Sequence, residues 1–404
     1  IVMGALAYSQ RWAAFFKRYD HWRYFFAEWN KIVYLKSYRK HHNTGALEKS
    51  LHHGIRWLIH SISRGTDRGS GTYYHHSGWT SSYPETTGYI IPTLVRYAQN
   101  EEGPWAKNAE AAALEAGKWL LEIQHSDGGW PGGYMHQKRG AVVFNTGQIL
   151  RGMRALYLFT GEEKYKASAH RAILWVWKQL DAEGKFSSND FMGAVRVYGT
   201  YVVAPILEWL PHFEADKDGW EAKARLHLDW VLTQQQDNFW LANCDNTEHK
   251  NHKPIIHTIA YTLDGLFDSG GLLKDEKYMN AAIGGAEILA QKFIERGLLH
   301  GRYDKRWHGS EAFIPTGGAQ LAILWHKIAR ADTKAFWAEE ARSSMNVLLS
   351  VIATNGARTA LDVGGALQGS FPMWGRYETF GLPNWATKYM ADSLMNELNW
   401  SNER

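Results

Sequence analysis

The sequence of 404 residues contains a single cysteine, Cys244. One thiol excludes a disulfide framework within the chain and any zinc site built from several thiolates. Long apolar runs are missing too. Mean hydropathy is −0.41, and no stretch of about 18 uncharged apolar residues occurs, which excludes a membrane-spanning helix. Neither sign of charge dominates: 45 Lys and Arg stand against 41 Asp and Glu, a net charge of +4. That balance tolerates an acidic ligand but lacks the concentrated basic character of a nucleic-acid-binding domain. No G-x-x-x-x-G-K-[ST] loop, no Rossmann glycine phrase and no G-x-S-x-G elbow is present, so phosphate-loop, dinucleotide and serine-hydrolase chemistries are set aside.

Aromatic residues are abundant instead. The chain holds 20 Trp, 20 Tyr and 16 Phe, 14% of its residues. Tryptophan needs a partner for its N–H when buried, so this number implies half-exposed rings suited to sugar faces, or else a Trp-rich core. The remaining composition, 45% hydrophobic and 21% charged, is that of an ordinary globule.

Several helical segments end on one phrase. Trp119 to Gln124 precedes Asp127-Gly128-Gly129-Trp130, and Trp175 to Leu180 precedes Glu183-Gly184-Lys185-Phe186. Trp230 to Gln236 precedes Asp237-Asn238-Phe239-Trp240, and Ile288 to Glu295 precedes Arg296-Gly297-Leu298-Leu299. A weaker copy ends at Asn355-Gly356. The turn positions 128, 184, 238, 297 and 356 lie 56, 54, 59 and 59 residues apart. Gly or Asn at such stops fits a left-handed helix terminus. Between these phrases run helices apolar around most of their circumference, over about 84–100, 142–160, 196–212, 253–270, 313–330 and 379–398. Their amphipathic partners cover about 46–64, 103–124, 162–182, 217–235, 274–297 and 333–352. An all-round apolar helix must be buried and a one-faced helix must lie outside it. Six alternations close most simply into an all-α (α/α)6 toroid over residues 46–404, with short strands in the loops at one end. Residues 1–45 read as an N-terminal helical extension.

In that topology every outer-to-inner connection falls at one end of the ring. There lie the long loops 127–139, 237–253, 298–311 and 362–377, and the N-terminal ends of the inner helices add positive dipole ends. The expected mouth gathers Asn145 from the second inner helix, Tyr198 and Tyr201 from the third, His257 and Tyr261 from the fourth, and Asn384 from the sixth. His257, Tyr261 and Asp264 form a polar stripe on an apolar helix, with Asp264 deepest and read as structural. The loops contribute Asp127, Trp130, Tyr134, His136 and Arg139, then Arg302, Tyr303, Asp304 and Trp307, then Trp374, Arg376 and Tyr377. Trp or Tyr beside Arg or His in three loops describes a groove for a carbohydrate with negative charge. The histidines at 249, 252 and 257, and the pair His75-His76, match no recognised zinc spacing, so neither metal nor cofactor is expected.

The phrase Gln124-His125-Ser126-Asp127-Gly128-Gly129-Trp130 resembles the Q-x-x-D-G-x-W motif that caps outer helices in squalene–hopene cyclase and prenyltransferase toroids. The resemblance bears on fold alone, because the D-x-D-D and D-D-x-x-D motifs of those enzymes are absent. Six hairpins with aromatic loops look more like the six-hairpin toroids of polysaccharide lyases and glycoside hydrolases. Similarity to the lyases implies Asn145, His257, Tyr261 or Tyr303, and Arg302 or Arg376 as the reacting set. Similarity to the toroidal unsaturated-uronyl hydrolases implies an Asp acid/base, for which Asp127, Asp190 and Asp304 are available.

The first expectation is therefore β-elimination at a uronic acid of an acidic polysaccharide. Asn145 and an arginine neutralise the carboxylate, His257 takes the C5 proton, and Tyr261 or Tyr303 serves the leaving oxygen. The alternative is hydrolysis by paired carboxylates, Asp127 or Asp190 with Asp304, Glu311 or Glu378. The third is a non-catalytic polysaccharide binder or assembly protein. An acidic oligo- or polysaccharide is the expected partner, with no nucleic acid and no transmembrane segment; the oligomeric state is left open. The sequence starts at Ile1 without an initiator Met or a full leader. A processed or trimmed form is consistent with this, and localisation is left open, with a periplasmic or extracellular setting slightly favoured over a cytoplasmic one.

Overall fold

The computed structural model describes residues 2–17, 21–38, 44–64, 67–190, 193–332, 334–352 and 364–399. Two helices, α1 (Val2–Phe16) and α2 (His21–Tyr38), precede the repeat. Six hairpins follow: α3 (Thr44–Ser63) with α4 (Pro84–Asn100), α5 (Pro104–Ile123) with α6 (Val143–Thr160), α7 (Glu163–Trp177) with α8 (Thr200–Trp209), α9 (Lys217–Thr233) with α10 (Ile256–Leu273), α11 (Glu276–Arg296) with α12 (Pro315–Ala331), and α13 (Ala335–Ser350) with α14 (Asn384–Glu397). Among the outer members, α11 buries Tyr278, Ala281, Ala282, Gly285, Ala286, Leu289, Ala290 and Phe293, a stripe at three- and four-residue spacing. Among the inner members, α12 buries every residue from Pro315 to His326.

The inner helices form a closed ring in the order α4, α6, α8, α10, α12, α14 and back to α4. Side chains secure the closure. Asn384 Nδ2 donates to Ser70 Oγ at 2.6 Å and Thr86 Oγ1 at 2.9 Å, and Thr93 Oγ1 donates to Asp392 at 2.8 Å. The chain is thus an all-α (α/α)6 toroid. The third inner helix is shorter than its apolar run, because residues 197–199 form a separate tight turn and Pro205 lies within it.

The strands of the described residues sit in loops at the mouth. β1 (Tyr73–Tyr74), β2 (Gly78–Trp79) and β5 (Gly381–Leu382) pair antiparallel in the order β2-β1-β5, with Tyr73 opposite both Trp79 and Leu382. This small sheet joins the first hairpin to the last. β3 (Arg302–Tyr303) and β4 (Gly309–Ser310) form a second pair.

The repeated phrase is structural glue. Gln124 Nε2 donates to Gly128 O at 2.9 Å and to Ser168 O of the next outer helix at 3.0 Å. Asp127 accepts from the Gly129 amide and, at 3.1 Å, from Trp175 Nε1. The turn glycines mark a close approach rather than a helix terminus. At Gly128, φ is +106° and a Cβ would stand 2.3 Å from the Arg171 carbonyl oxygen; at Gly184, φ is +85° and the clash is with Leu226 O. Only Gly297, among the turn positions described, caps its helix in the left-handed conformation as expected. In the third copy Phe239 rather than Asn238 takes positive φ, and its ring occupies the space that a Cβ on Gly284 would need. The fifth copy, Asn355-Gly356, lies outside the described residues, as do Asp362 and Val363 of the last loop.

Candidate active site

The first turns of α4, α6, α10 and α14 converge on a cavity of about 240 Å³ at the mouth. α4 supplies Glu85, Thr86 and Tyr89, preceded by Tyr83; α6 supplies Phe144; α10 supplies His257, Thr258 and Tyr261; α14 supplies Trp385. Tyr134 and Arg139 enter from the loop before α6, and Tyr377 and Glu378 from the loop before α14. Tyr89 and Tyr261 form the floor. Beneath them the Tyr201 ring stacks on Tyr261 with centroids 4.6 Å apart, and the Tyr389 hydroxyl lies 3.4 Å from that of Tyr201.

Two carboxyl groups face this space. Glu85 is buried, and the loss of solvent pushes its carboxyl up to about 8, against an opposing hydrogen bond from the Tyr83 hydroxyl. At neutral pH it is therefore mostly a protonated acid. Glu378 is also raised by burial, opposed by a hydrogen bond from the Tyr74 hydroxyl and by the positive charge of Arg11. Its backbone is left-handed, with φ +48°, a conformation that costs a non-glycine residue about 1 kcal/mol or more. The strained backbone sets Glu378 in the cavity wall beside Tyr377.

The histidine and the tyrosines of the wall are held neutral by burial. Burial lowers His257 to about 4, Asp245 opposes this and Arg302 adds to it, and His257 Nδ1 finds no hydrogen-bond partner among the described residues. Burial raises the hydroxyls of Tyr83, Tyr261 and Tyr377, so they remain donors and not bases. After burial, the next strongest influences on Tyr261 are Tyr89 and Glu85, and both raise it further.

The expected residues divide sharply. Tyr134, Arg139, Tyr198, His257, Tyr261 and Tyr377 line the cavity, and Glu378 joins them from the hydrolase set. The remaining positions have other employment. Arg302 is buried against Asp245 at 2.7 Å and the Lys253 carbonyl at 2.8 Å. Tyr303 accepts from the His300 amide at 2.9 Å, and Trp307 Nε1 donates to Asn238 O. Trp130 is fully buried and donates to Leu120 O at 2.7 Å. Asn145 is wholly buried and absent from the cavity lining, near the Tyr83 hydroxyl but in no hydrogen bond of ordinary geometry among the described residues. Asn384 closes the ring, Tyr201 lies one layer below the floor, and His136 is exposed at the rim, bonded to Ser81 Oγ. Trp374 packs on Trp12 and Phe25, and Arg376 is exposed outside the cavity. Asp127 and Asp304 cap turns, Asp190 influences Tyr198 from outside the wall, and Glu311 pairs with Lys250 and Arg302. Asp264 binds Lys327 at 2.7 Å at the far end of the ring.

Glu85 went unread in the sequence. An acidic residue after a proline in a first helical turn is what the helix dipole favours anywhere, so its position concealed it. The available signal was that this helix is an inner one, whose first turn faces the mouth.

No protein-family model and no curated protein sequence matches the chain. Solved structures do match in fold. An unsaturated glucuronyl hydrolase specific for heparin superposes with a TM-score of 0.69 at 15% identity, covering 88% of this chain and 98% of its own. The unsaturated glucuronyl hydrolase of Bacillus sp. GL1, described as responsible for glycosaminoglycan degradation, gives 0.66 at 11% identity, covering 86% and 96%. That of Streptococcus agalactiae gives 0.65 at 10%, covering 90% and 94%. This chain has their fold. It is a six-hairpin (α/α)6 toroid, and nearly the full length of those chains is spanned.

Proposed function

We propose that the protein is a glycoside hydrolase acting on an acidic, uronic-acid-containing oligosaccharide, with an unsaturated uronyl residue as the sugar removed. The observation that carries this reading is a pair of carboxyl groups, buried Glu85 and half-buried Glu378, both raised by desolvation in one cavity at the mouth. Glycoside hydrolysis needs one carboxyl protonated at working pH and a second near the reacting centre to orient or activate water. Glu85 is the acid, kept protonated by its dry site. Glu378 is the second group; burial raises its carboxyl on balance, and the Tyr74 hydroxyl and Arg11 limit that rise in favour of the ionised form. Arg139 in the wall and the positive ends of α4 and α10 favour a substrate carboxylate, while Trp385 and the tyrosines offer ring faces and hydroxyl donors.

Elimination is the weaker reading. It requires a cation on the uronate carboxylate and a competent base. Arg302 and Asn145, expected from the sequence to neutralise that carboxylate, are absent from the cavity lining; Arg139 could meet it there, but no competent base accompanies it, since His257 at about 4 is a poor one. The fold relatives named for unsaturated glucuronyl hydrolysis support the same choice.

The test follows the ultraviolet absorbance of the conjugated double bond together with reducing ends. Hydrolysis of unsaturated uronyl disaccharides removes absorbance as reducing ends appear, and Glu85→Gln or Glu378→Gln lowers kcat by about 10²–10⁴-fold without unfolding the protein. A rise in absorbance on intact acidic polymer overturns hydrolysis in favour of elimination. Tight binding without turnover of a panel of acidic glycans overturns both.

A further inference from the structure

Helix α2 is amphipathic in the unusual sense. Its buried side carries charge: Glu28 accepts from the Met373 amide at 2.8 Å and from Gln368 Nε2, and Lys31 Nζ binds Glu28 at 3.1 Å and the Ile352 carbonyl at 2.7 Å. Its outward side is apolar. Trp22, Phe26, Trp29 and Val33 are 42, 59, 52 and 58% exposed, at successive spacings of four, three and four residues, hence one continuous stripe. On α1, Leu6 is 58% exposed as well. Arg23 is exposed beside this stripe on α2, and Lys17 just beyond α1. The charge distribution of the whole sequence is skewed in the same place. Residues 1–45 contain eight Lys and Arg against two Asp and Glu, a net charge of +6, while residues 46–404 carry −2.

We propose that this face is a membrane-docking surface for an anionic phospholipid bilayer. Aromatic side chains with flanking cations match the headgroup boundary, where rings enter the acyl edge and Lys or Arg meets phosphate. The stripe covers one face only, and no helix of the described residues is long and apolar enough to cross a membrane, so α2 lies in the plane of the surface. A second copy of the chain is disfavoured as the occupant because two segments of +6 repel. An acidic glycan is disfavoured because Val33, Phe26 and Leu6 offer neither stacking platform with polar rim nor hydrogen bond. The opposite faces of α1 and α2 pack on the loop that holds Glu378: Phe15 stacks on Phe380 with centroids 4.3 Å apart, Phe25 meets Trp374 at 5.3 Å, and Tyr8 Oη donates to Trp374 O at 2.6 Å. Docking therefore holds the membrane surface beside the loop that forms one side of the mouth.

The experiment is flotation of the full chain with vesicles of phosphatidylcholine alone or mixed with phosphatidylglycerol, at low and high salt. Binding to the mixed vesicles only, weakened by salt, is expected. Phe26→Ser with Trp29→Ser lowers the partition coefficient at least about tenfold, and Arg23→Glu weakens it as well, with melting and glycan turnover in solution unchanged. Absence of binding to either vesicle, or equal binding by the double variant, overturns the proposal. So does sedimentation showing that the wild type dimerises and the double variant does not, which assigns the stripe to a second copy.

Discussion

Replacing Glu85 by Gln removes one titration from the native state, and its effect on stability follows from the site. The carboxyl rises from an ordinary value of 4.5 to about 8 because burial penalises its charged form. The folded protein therefore keeps a proton that the unfolded chain has already released. The sign is fixed by that difference. The contribution of Glu85 is fully present below pH 4.5, declines by about 1.36 kcal/mol for each pH unit, and is lost above about 8. Over the whole window this reaches roughly 5 kcal/mol, a ceiling because the cavity opens to water. A neutral amide of the same shape has no such dependence. Urea denaturation of both proteins, from acid to mildly alkaline pH, subtracts all other titrations. The wild type loses stability relative to Glu85→Gln as pH rises, and the difference levels off beyond the folded value. A difference that stays flat across this range refutes the buried protonated acid and removes the basis for calling Glu85 the proton donor.

Tyr74→Phe deletes the hydroxyl that favours ionised Glu378, so the acid limb of the kcat profile moves to higher pH; an unmoved limb shows that Glu378 does not set it. Arg302→Ala leaves Asp245 buried without its cation and destabilises the fold by roughly 3–5 kcal/mol, read as a lowered melting temperature with turnover per folded molecule retained. Gly128→Ala costs about 1–3 kcal/mol through a left-handed φ and collision with Arg171 O, whereas Gly161→Ala, at φ +71° with open space around it, costs no more than about 1 kcal/mol. Equal melting temperatures for the two glycine variants contradict the packing role assigned to the turn.

The fold was legible because each hairpin repeats its own local physics. Helical spacing in 278–293, continuous burial in 315–326 and the recurrent turn after each outer helix are properties of consecutive residues, and they imply inner and outer rings before any contact is known. The mouth end followed from connectivity alone. Cavity-lining residues were legible where one helix turn fixed them, as with His257 and Tyr261, or where a loop carried donors and rings together, as with Tyr134, Arg139 and Tyr377.

What the tertiary structure decided was burial and partner choice. Arg302 beside Tyr303 and Trp307 reads in sequence like a sugar-binding loop, but the buried Asp245 carboxylate, 57 residues away, claims the guanidinium. Trp130 has the spacing of a platform, yet the Leu120 carbonyl satisfies its N–H inside the core. Glu85 has the sequence context of a dipole-stabilising surface residue; only the packing of four helix ends around it withdraws water and makes it an acid. Periodicity is local and survives in the sequence. Desolvation is a property of what surrounds a group from every side, and it exists only once the ring has closed.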